Sequence, residues 1–394
     1  MFSKKISYSS FIFIIIFLTS IAAPVNQFKV PPVMPVLMSE FDLSLASAGM
    51  LMSVFALVGM LLALPSGCMV HRLGLKKSGI IALFALGIGS AAGLISGSSS
   101  SLMLSRIIEG IGMCLISVMA PASIAAWFPP EKRGLPMGIW ATWVPLGTIL
   151  MFLVAPALNS SFGWRSIWLI TGIYTFAILI ALSVFFRTPS GTDANTCQKE
   201  GQIQNDSNGN PYYNRDIWLL AGVFMVFNIA VISICTFMPS FLENVRDFSP
   251  EKASAVSGLF LAGALVIGPV TGIIANRIGS YKKILFIGVF VSAAGMCLPF
   301  IVSSSLVPVV LFLLGMATGT VPPVTFSSAA EIMKLPSRAG TGMSIVAFGQ
   351  YTGMCIGPAM FGEIAENFGW ASAGYSLVPI MMLSSAVIFL IRVK

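Results

Sequence analysis

Long apolar runs broken by short polar stretches organise this chain. The runs fall at residues 8–38, 46–68, 79–97, 100–126, 135–158 and 166–187, then at 217–241, 253–275, 283–303, 306–330, 341–362 and 371–392. A helix needs about 20 residues to cross ~30 Å of hydrocarbon, and each run is long enough. Between the sixth and seventh lies 188–216, which is polar and rich in Asn, Gly, Ser and Thr, the composition of a linker. The pattern predicts an all-α integral membrane protein with twelve transmembrane helices. Residues 1–187 form one half, 188–216 a connection and 217–394 the other half.

Short phrases recur in register with this division. Gly67-Cys-Met-Val-His71-Arg72-Leu-Gly74 returns as Gly272-Ile-Ile-Ala-Asn276-Arg277-Ile-Gly279, an offset of 205 residues. Phe162-Gly163-Trp164 returns as Phe368-Gly369-Trp370, an offset of 206, and Arg133-Gly134 has a weaker echo in Ala339-Gly340. A period that long points to a duplicated domain rather than a solenoid.

Composition supports the membrane reading. The chain is 56% hydrophobic and only 9% charged, with a mean hydropathy of +0.92, whereas soluble domains carry about 25% charged residues. The net charge of +8 could suggest a nucleic-acid partner, but its placement argues otherwise. Of 22 Lys and Arg residues, 17 sit at the termini, in the linker or in alternate connections, around Arg72–Lys77, Lys132–Arg133, Arg277–Lys283 and Lys334–Arg338. The opposite connections hold only Arg165, Arg246 and Lys252, among acids such as Glu40, Asp42, Asp247 and Glu366. The positive-inside rule then puts both termini and the linker in the cytoplasm. Lys4-Lys5 followed by an apolar run resembles a signal peptide; its removal would leave five spans against six, so the repeat favours a retained first helix. The six cysteines form no C-x-x-C and there is one histidine, so no metal site or cofactor is expected. No Walker-type phosphate loop or nucleophile elbow occurs, and the chain is not expected to be an enzyme.

The phrase after the second run resembles the loop signature G-x-x-x-D-R-x-G-R-[KR] of the major facilitator superfamily of secondary transporters. Arg106-Ile-Ile-Glu-Gly110-Ile-Gly112 resembles that family's R-x-x-x-G-x-G, and Glu131-Lys132-Arg133-Gly134 its entry to the fifth helix. The resemblance spans essentially the whole chain, toward the bacterial cyanate-, nitrate- and organic-anion porters. It implies two six-helix bundles related by a pseudo-twofold axis along the membrane normal, rocking about a midplane site. It also implies a cytoplasmic gate at Gly67, His71 and Arg72 and at Gly272, Asn276 and Arg277. The family's Asp is replaced by His71 and by Asn276, which removes the fixed negative charge of the usual latch. His71 could sense pH or be a solvated loop residue.

Charges inside spans are expensive and mark function by default. Arg106 and Glu109 share a helix face at i, i+3, and the second half has Leu311 and Leu314 at the matching places. Lys29 follows Asn26 in a run studded with Pro24, Pro31, Pro32 and Pro35, which predicts a bent or broken first helix. A structural ion pair and a snorkelling lysine are the plainer readings of these charges. Further polar or aromatic candidates for the substrate site are Trp140, Trp143, Asn228, Gln350 and Tyr351, each of which could equally be helix packing. Gly349, Gly353 and Gly357-Pro358 resemble an antiporter signature displaced into the eleventh run, while the fifth has Met151-Phe152 where that signature needs Gly-Pro. The expectation is a monomeric secondary transporter in an inner or plasma membrane. It moves a small anion by alternating access, with Lys29 and Arg106 attracting the anion beside Asn26, and Glu109 carrying a coupling proton with Arg106 as its partner in coupling. The alternative is a proton antiporter exporting drugs or lipophilic compounds.

Overall fold

The computed structural model describes residues 8–129, 132–187, 211–278, 280–333 and 336–392; the side chains of 67, 68, 71, 211, 269, 272–277 and 336–339 lie outside the described set. Every regular element among these residues is helical. In chain order they are α1 (Tyr8–Gln27), a 3₁₀ turn (Pro31–Val33), α2 (Met34–Phe41), α3 (Leu45–Leu62), α4 (Ser66–Leu73), α5 (Leu75–Leu94), α6 (Ser99–Trp127), α7 (Gly134–Trp140), α8 (Trp143–Phe162) and α9 (Arg165–Phe185). After the segment that holds the linker come α10 (Arg215–Asn244), α11 (Pro250–Ile278), α12 (Tyr281–Gly295), α13 (Leu298–Ile301), α14 (Val307–Gly319), α15 (Val321–Met333), α16 (Pro336–Phe368) and α17 (Trp370–Val387).

Among the described residues eleven stretches are long and apolar enough to cross a membrane. Several predicted runs emerge as two helical pieces in line, the first being α1, the 3₁₀ turn and α2 across Tyr8–Phe41. The predicted run 341–362 lies within α16, whose 33 residues extend about 50 Å. Glycine and carboxylate dilute its apolar character, and it is not among the eleven.

Polar residues at the breaks set where helices begin and stop. Ser44 accepts from the Ser47 N–H at the start of α3, and Ser98 and Ser101 form a reciprocal capping box at the start of α6. Gly163 and Gly369 end α8 and α16 with φ of 75° and 84° and ψ of 165° and 163°, a positive-φ extended conformation open to glycine. Asp42 and Asp247, 205 residues apart, take φ of 50° and 54°. The Phe162-Gly163-Trp164 phrase and its repeat therefore coincide with a repeated backbone turn, and the two aspartates mark a second. Several basic residues cap helix C-termini. Arg133 donates to the Phe128 and Ala125 carbonyls at 2.9 and 2.7 Å, and Lys282 donates to those of Phe389 and Ile391 at 2.9 and 2.8 Å.

Within residues 8–187, α1 packs on α6, α8 and α9, and α5 on α6 and α9. Within 211–392, α10 packs on α16 and α11 on α14. The seam between these sets joins α3 to α16 and α8 to α11, with the 3₁₀ turn against α10. Gly49 lies against the Pro358 carbonyl, Gly362 against that of Leu45, and Gly59 against the Tyr351 ring. Small residues here bring backbones into direct contact, as the apolar environment favours. Glu366 adds a carboxylate that accepts from the Ala46 N–H at 3.1 Å. Leu45, Ala46 and Gly49 sit toward the end of α3 remote from Arg72, Lys76 and Lys77, and Gly59 toward the near end.

Candidate functional site

The site begins with a missing donor. Pro31 has no N–H, so it cannot close the helical bond to the carbonyl of Gln27 four residues back. In the chain α1 stops at Gln27, and a buried carbonyl with no partner would cost about 1–3 kcal/mol. Arg106, reaching across from α6, supplies the donors. Its Nη2 donates to the Gln27 carbonyl at 2.9 Å and its Nη1 to that of Asn26 at 2.6 Å. Its Nε reaches the Leu51 carbonyl of α3 at 3.3 Å. Nη1 also meets Glu109 Oε2 at 2.5 Å, and Nη2 lies 4.0 Å from the Met52 sulfur. All five donor directions are in use. The guanidinium further lies over the Phe55 ring, 4.5 Å from its centroid. Arg106 thus holds the break in the first span open and in place.

Lys29 occupies that break. Its Nζ donates to Glu109 Oε1 at 2.6 Å, Ser90 Oγ at 2.8 Å and Asn26 Oδ1 at 3.0 Å, with Thr171 Oγ1 at 3.4 Å. It lies 4.8 Å from the Trp168 ring centroid, a cation–π placement. Asn26 is fixed in turn by donating to the Ala22 carbonyl at 2.8 Å and to Thr175 Oγ1 at 3.1 Å. Lys29, Arg106 and Glu109 are each 0% exposed. Two cations share one carboxylate, so with all three ionised the cluster carries one net positive charge in the hydrophobic interior.

Four sequence candidates, Asn26, Lys29, Arg106 and Glu109, therefore converge on one point inside the first half. Neither cation has a donor left over. In this arrangement an anion reaches them only if one of the present bonds breaks. The remaining candidates lie elsewhere. Trp140 and Trp143 stack with centroids 5.6 Å apart and planes 15° apart, and the Trp140 indole donates to Ser20 Oγ at 2.9 Å. Tyr351 is buried and its hydroxyl donates to Ser117 Oγ at 3.2 Å, a bridge from α16 to α6. Gln350 beside it is half-buried. Asn228 is buried and donates to the Phe224 carbonyl of its own helix at 2.8 Å, which is the packing alternative realised.

For the expected gate, Arg72 is exposed in α4. The side chains of Gly67, His71, Gly272, Asn276 and Arg277 lie outside the described residues. Among the described residues no group of three or more His, Cys, Asp or Glu could hold a metal.

Sequence reasoning missed Ser90, Trp168, Thr171 and Thr175, the second ring of partners around Lys29. A signal for them existed. In the register of the repeat, Ser90 stands against Gly295, Trp168 against Gly374, Thr171 against Leu377 and Thr175 against Met381, while Lys29 stands against Ile234. Polar positions that lose their polarity in the second copy outline the cluster.

Comparison with known proteins agrees with this architecture. A probable sulfoacetate transporter of Cupriavidus necator is 22% identical over 373 residues, covering 88% of this chain and 85% of that protein. A probable nitrate transporter of Staphylococcus epidermidis is 28% identical over 265 residues, but that match spans only 65% of this chain and 64% of the relative. Among solved structures, a bacterial homologue of the human lysosomal transporter Spinster, in an inward-facing unoccupied conformation, superposes with a TM-score of 0.82. It is 17% identical, and the match covers 99% of this chain and 97% of that one. A D-xylose-proton symporter gives 0.79 at 17% identity, covering 98% of each chain. These relatives are membrane transporters, and this chain is likewise a multi-pass transporter rather than an enzyme. The profile of the Major Facilitator Superfamily matches residues 12–334 and 220–394, so the protein belongs to that superfamily.

Proposed function

We propose that the protein is a secondary transporter that moves a small oxyanion by alternating access, coupled to protons. The observation that carries this reading is the buried cluster of Lys29, Arg106 and Glu109 with its uncompensated positive charge. A net cation held in low dielectric makes the nearby interior attractive to an anion and hostile to a lipophilic cation. The relatives, a probable sulfoacetate transporter and a probable nitrate transporter, support the same substrate class. The symporter among the structural neighbours supports proton coupling.

Lys29 and Arg106 act on the anion through their field while engaged as they are, and Trp140, Trp143, Gln350 and Tyr351 are the candidates for direct contact at the seam. Asn26 and Asn228 act by holding their helices. The eleven apolar spans and α16 make twelve, in two six-helix bundles, 1–187 and 217–394, related by a pseudo-twofold axis along the membrane normal and joined by the linker 188–216. The repeated turns at Asp42 and Asp247 and at Gly163 and Gly369 support that symmetry. Basic residues cluster on one side, so both termini and the linker face the cytoplasm of an inner or plasma membrane. A monomer suffices. The phrases at Gly67, His71 and Arg72 and at Gly272, Asn276 and Arg277 form the cytoplasmic gate of this scheme. Drug efflux is disfavoured by the sign of the buried charge.

The test is uptake by proteoliposomes of labelled nitrate and sulfoacetate under an inward proton gradient. Accumulation of either above its gradient-free level is expected, and its loss in Glu109→Gln. Failure of the wild-type protein to move both anions, with either direction of gradient, would refute the reading.

A further inference from the structure

We infer that the proton exchanged by the buried cluster resides on Lys29, and that Glu109 stays a carboxylate throughout. The inference rests on the proposed proton-coupled function for its purpose, and on the geometry of the cluster for its chemistry.

With Lys29, Arg106 and Glu109 all ionised, the enclosed group carries +1. Protonating Glu109 would raise that to +2 and remove the only anion from between two cations, at a point with no exposed surface. Releasing a proton from Lys29 instead brings the group to zero and leaves the Arg106–Glu109 pair intact at 2.5 Å. Buried charge is tolerated when paired and costly when not. The neutral endpoint lies on the Lys29 route.

Hydrogen-bond chemistry points the same way. Glu109 Oε2 faces an Arg106 N–H, and Oε1 faces Lys29 Nζ and Ser90 Oγ, the latter at 3.1 Å. A carboxyl O–H added at Oε2 would meet a donor. At Oε1 it would have only the Ser90 oxygen, already a partner of the ammonium. Lys29 is surrounded differently. Ser90 and Thr171 carry hydroxyls, which donate as readily as they accept. When Nζ is an ammonium, Ser90 accepts from it and donates to Asn26 Oδ1 at 2.6 Å. When Nζ is a neutral amine, its two N–H groups serve Glu109 and Asn26. The Ser90 hydroxyl then turns to donate to the amine lone pair. Both protonation states leave Lys29 Nζ, Asn26 Oδ1, Ser90 Oγ and the Glu109 carboxylate partnered.

Among the described residues no other charged side chain bonds to Lys29; Lys76 and Lys77 of α5 and Arg165 of α9 lie at the first turns of their helices. Of the elements around Lys29, α6 presents Arg106 and Glu109. The helix α5 contributes Ser90, and α9 contributes Trp168, Thr171 and Thr175. The helix α8 contains no charged residue, α10 has none between Asp216 and Glu243, and α3 has none.

Trp168 provides a direct reporter, because the ammonium lies against its ring. In purified full-length protein, tryptophan emission followed against pH should show a one-proton transition that is lost in Lys29→Arg and in Trp168→Phe. Arginine keeps its charge at any accessible pH, so the first variant preserves the cluster's electrostatics while removing the titration. Infrared difference spectra across the same transition should contain no protonated-carboxyl C=O stretch. A carboxyl stretch that disappears in Glu109→Gln would overturn the inference. So would a wild-type protein without a transition, or a transition that survives in Lys29→Arg. In proteoliposomes, stimulation of nitrate uptake by a proton gradient should be lost in Lys29→Arg. The spectroscopic arm does not depend on nitrate. If the protein titrates as stated but moves no nitrate, the proton site stands and the substrate reading fails.

Discussion

Removing Glu109 alone should damage the protein more than removing Glu109 and Lys29 together. Glu109→Gln leaves Lys29 and Arg106 facing a neutral amide, with two positive charges enclosed and uncompensated at any pH where Lys29 keeps its proton. Breaking a buried ionic network by deleting one partner costs about 3–5 kcal/mol. Lys29→Met removes one cation, leaves the Arg106–Glu109 pair at 2.5 Å and lets Ser90 keep its bond to Oε1 at 3.1 Å. Its cost should be about 1–2 kcal/mol, mostly for the unpaired oxygen of Asn26. In the double variant one of the two uncompensated charges is gone, so a coupling of about 1–3 kcal/mol should return. The order of stability is then wild type, Lys29→Met, the double variant and, last, Glu109→Gln. Unfolding in detergent, followed by fluorescence-detected size exclusion at a series of temperatures, reads this order directly. A double variant less stable than Glu109→Gln, or a Glu109→Gln protein as stable as wild type, would refute the account of the cluster as one carboxylate shared by two cations.

Other perturbations probe the remaining parts. Arg106→Lys keeps the charge but cannot serve the Asn26 and Gln27 carbonyls and Glu109 together; it should cost about 1–3 kcal/mol for each carbonyl stranded and speed amide exchange across residues 26–30. Gly49→Leu drives a side chain into the Pro358 backbone and should wedge the seam between α3 and α16. Maleimide labelling of the half-buried native Cys355, with the other cysteines replaced, should then accelerate, and unchanged labelling would contradict the direct backbone packing. Tyr351→Phe deletes only the bond to Ser117 at 3.2 Å, so stability should fall by no more than about 1 kcal/mol; transport at limiting nitrate should fall further if the hydroxyl serves the anion.

The sequence made the helices easy to find and their use hard to judge. Apolar runs of about 20 residues report their own burial in lipid, and the helix breaks at Ser44, Ser98 and Gly163 follow from local chemistry. Lys29, Arg106 and Glu109 could be recognised as a group because charge is rare in a span. Their geometry could not. That Arg106 substitutes for the amide Pro31 lacks depends on the distance between α1 and α6, which no local pattern encodes. The partners Ser90 and Thr171 look in sequence like any hydroxyl satisfied within its own helix, and Thr171 does bond the Trp168 carbonyl at 3.2 Å. Only the comparison of the two halves distinguishes them.

That asymmetry bears on how coupling and recognition divide the molecule. The second half replaces Lys29 with Ile234, Arg106 with Leu311 and Glu109 with Leu314, and α10 runs unbroken from Arg215 to Asn244 where the first span is interrupted. A break in the first span that its counterpart in the second half lacks, held by Arg106 and occupied by Lys29, sets the two halves apart. At about 8 Å, with an effective dielectric near 20, the cluster's single positive charge would favour an anion by about 2 kcal/mol, roughly 30-fold in occupancy. Loss of the Lys29 proton cancels that attraction without moving any ligand of the anion. The cluster can thus release substrate by titrating at a distance from it, and the absence of a free donor on Lys29 or Arg106 is what such a role requires. An anion analogue that protects Tyr351 and Trp143 but not Lys29 from chemical footprinting would be the expected result; protection centred on Lys29 would return the cluster to the substrate site.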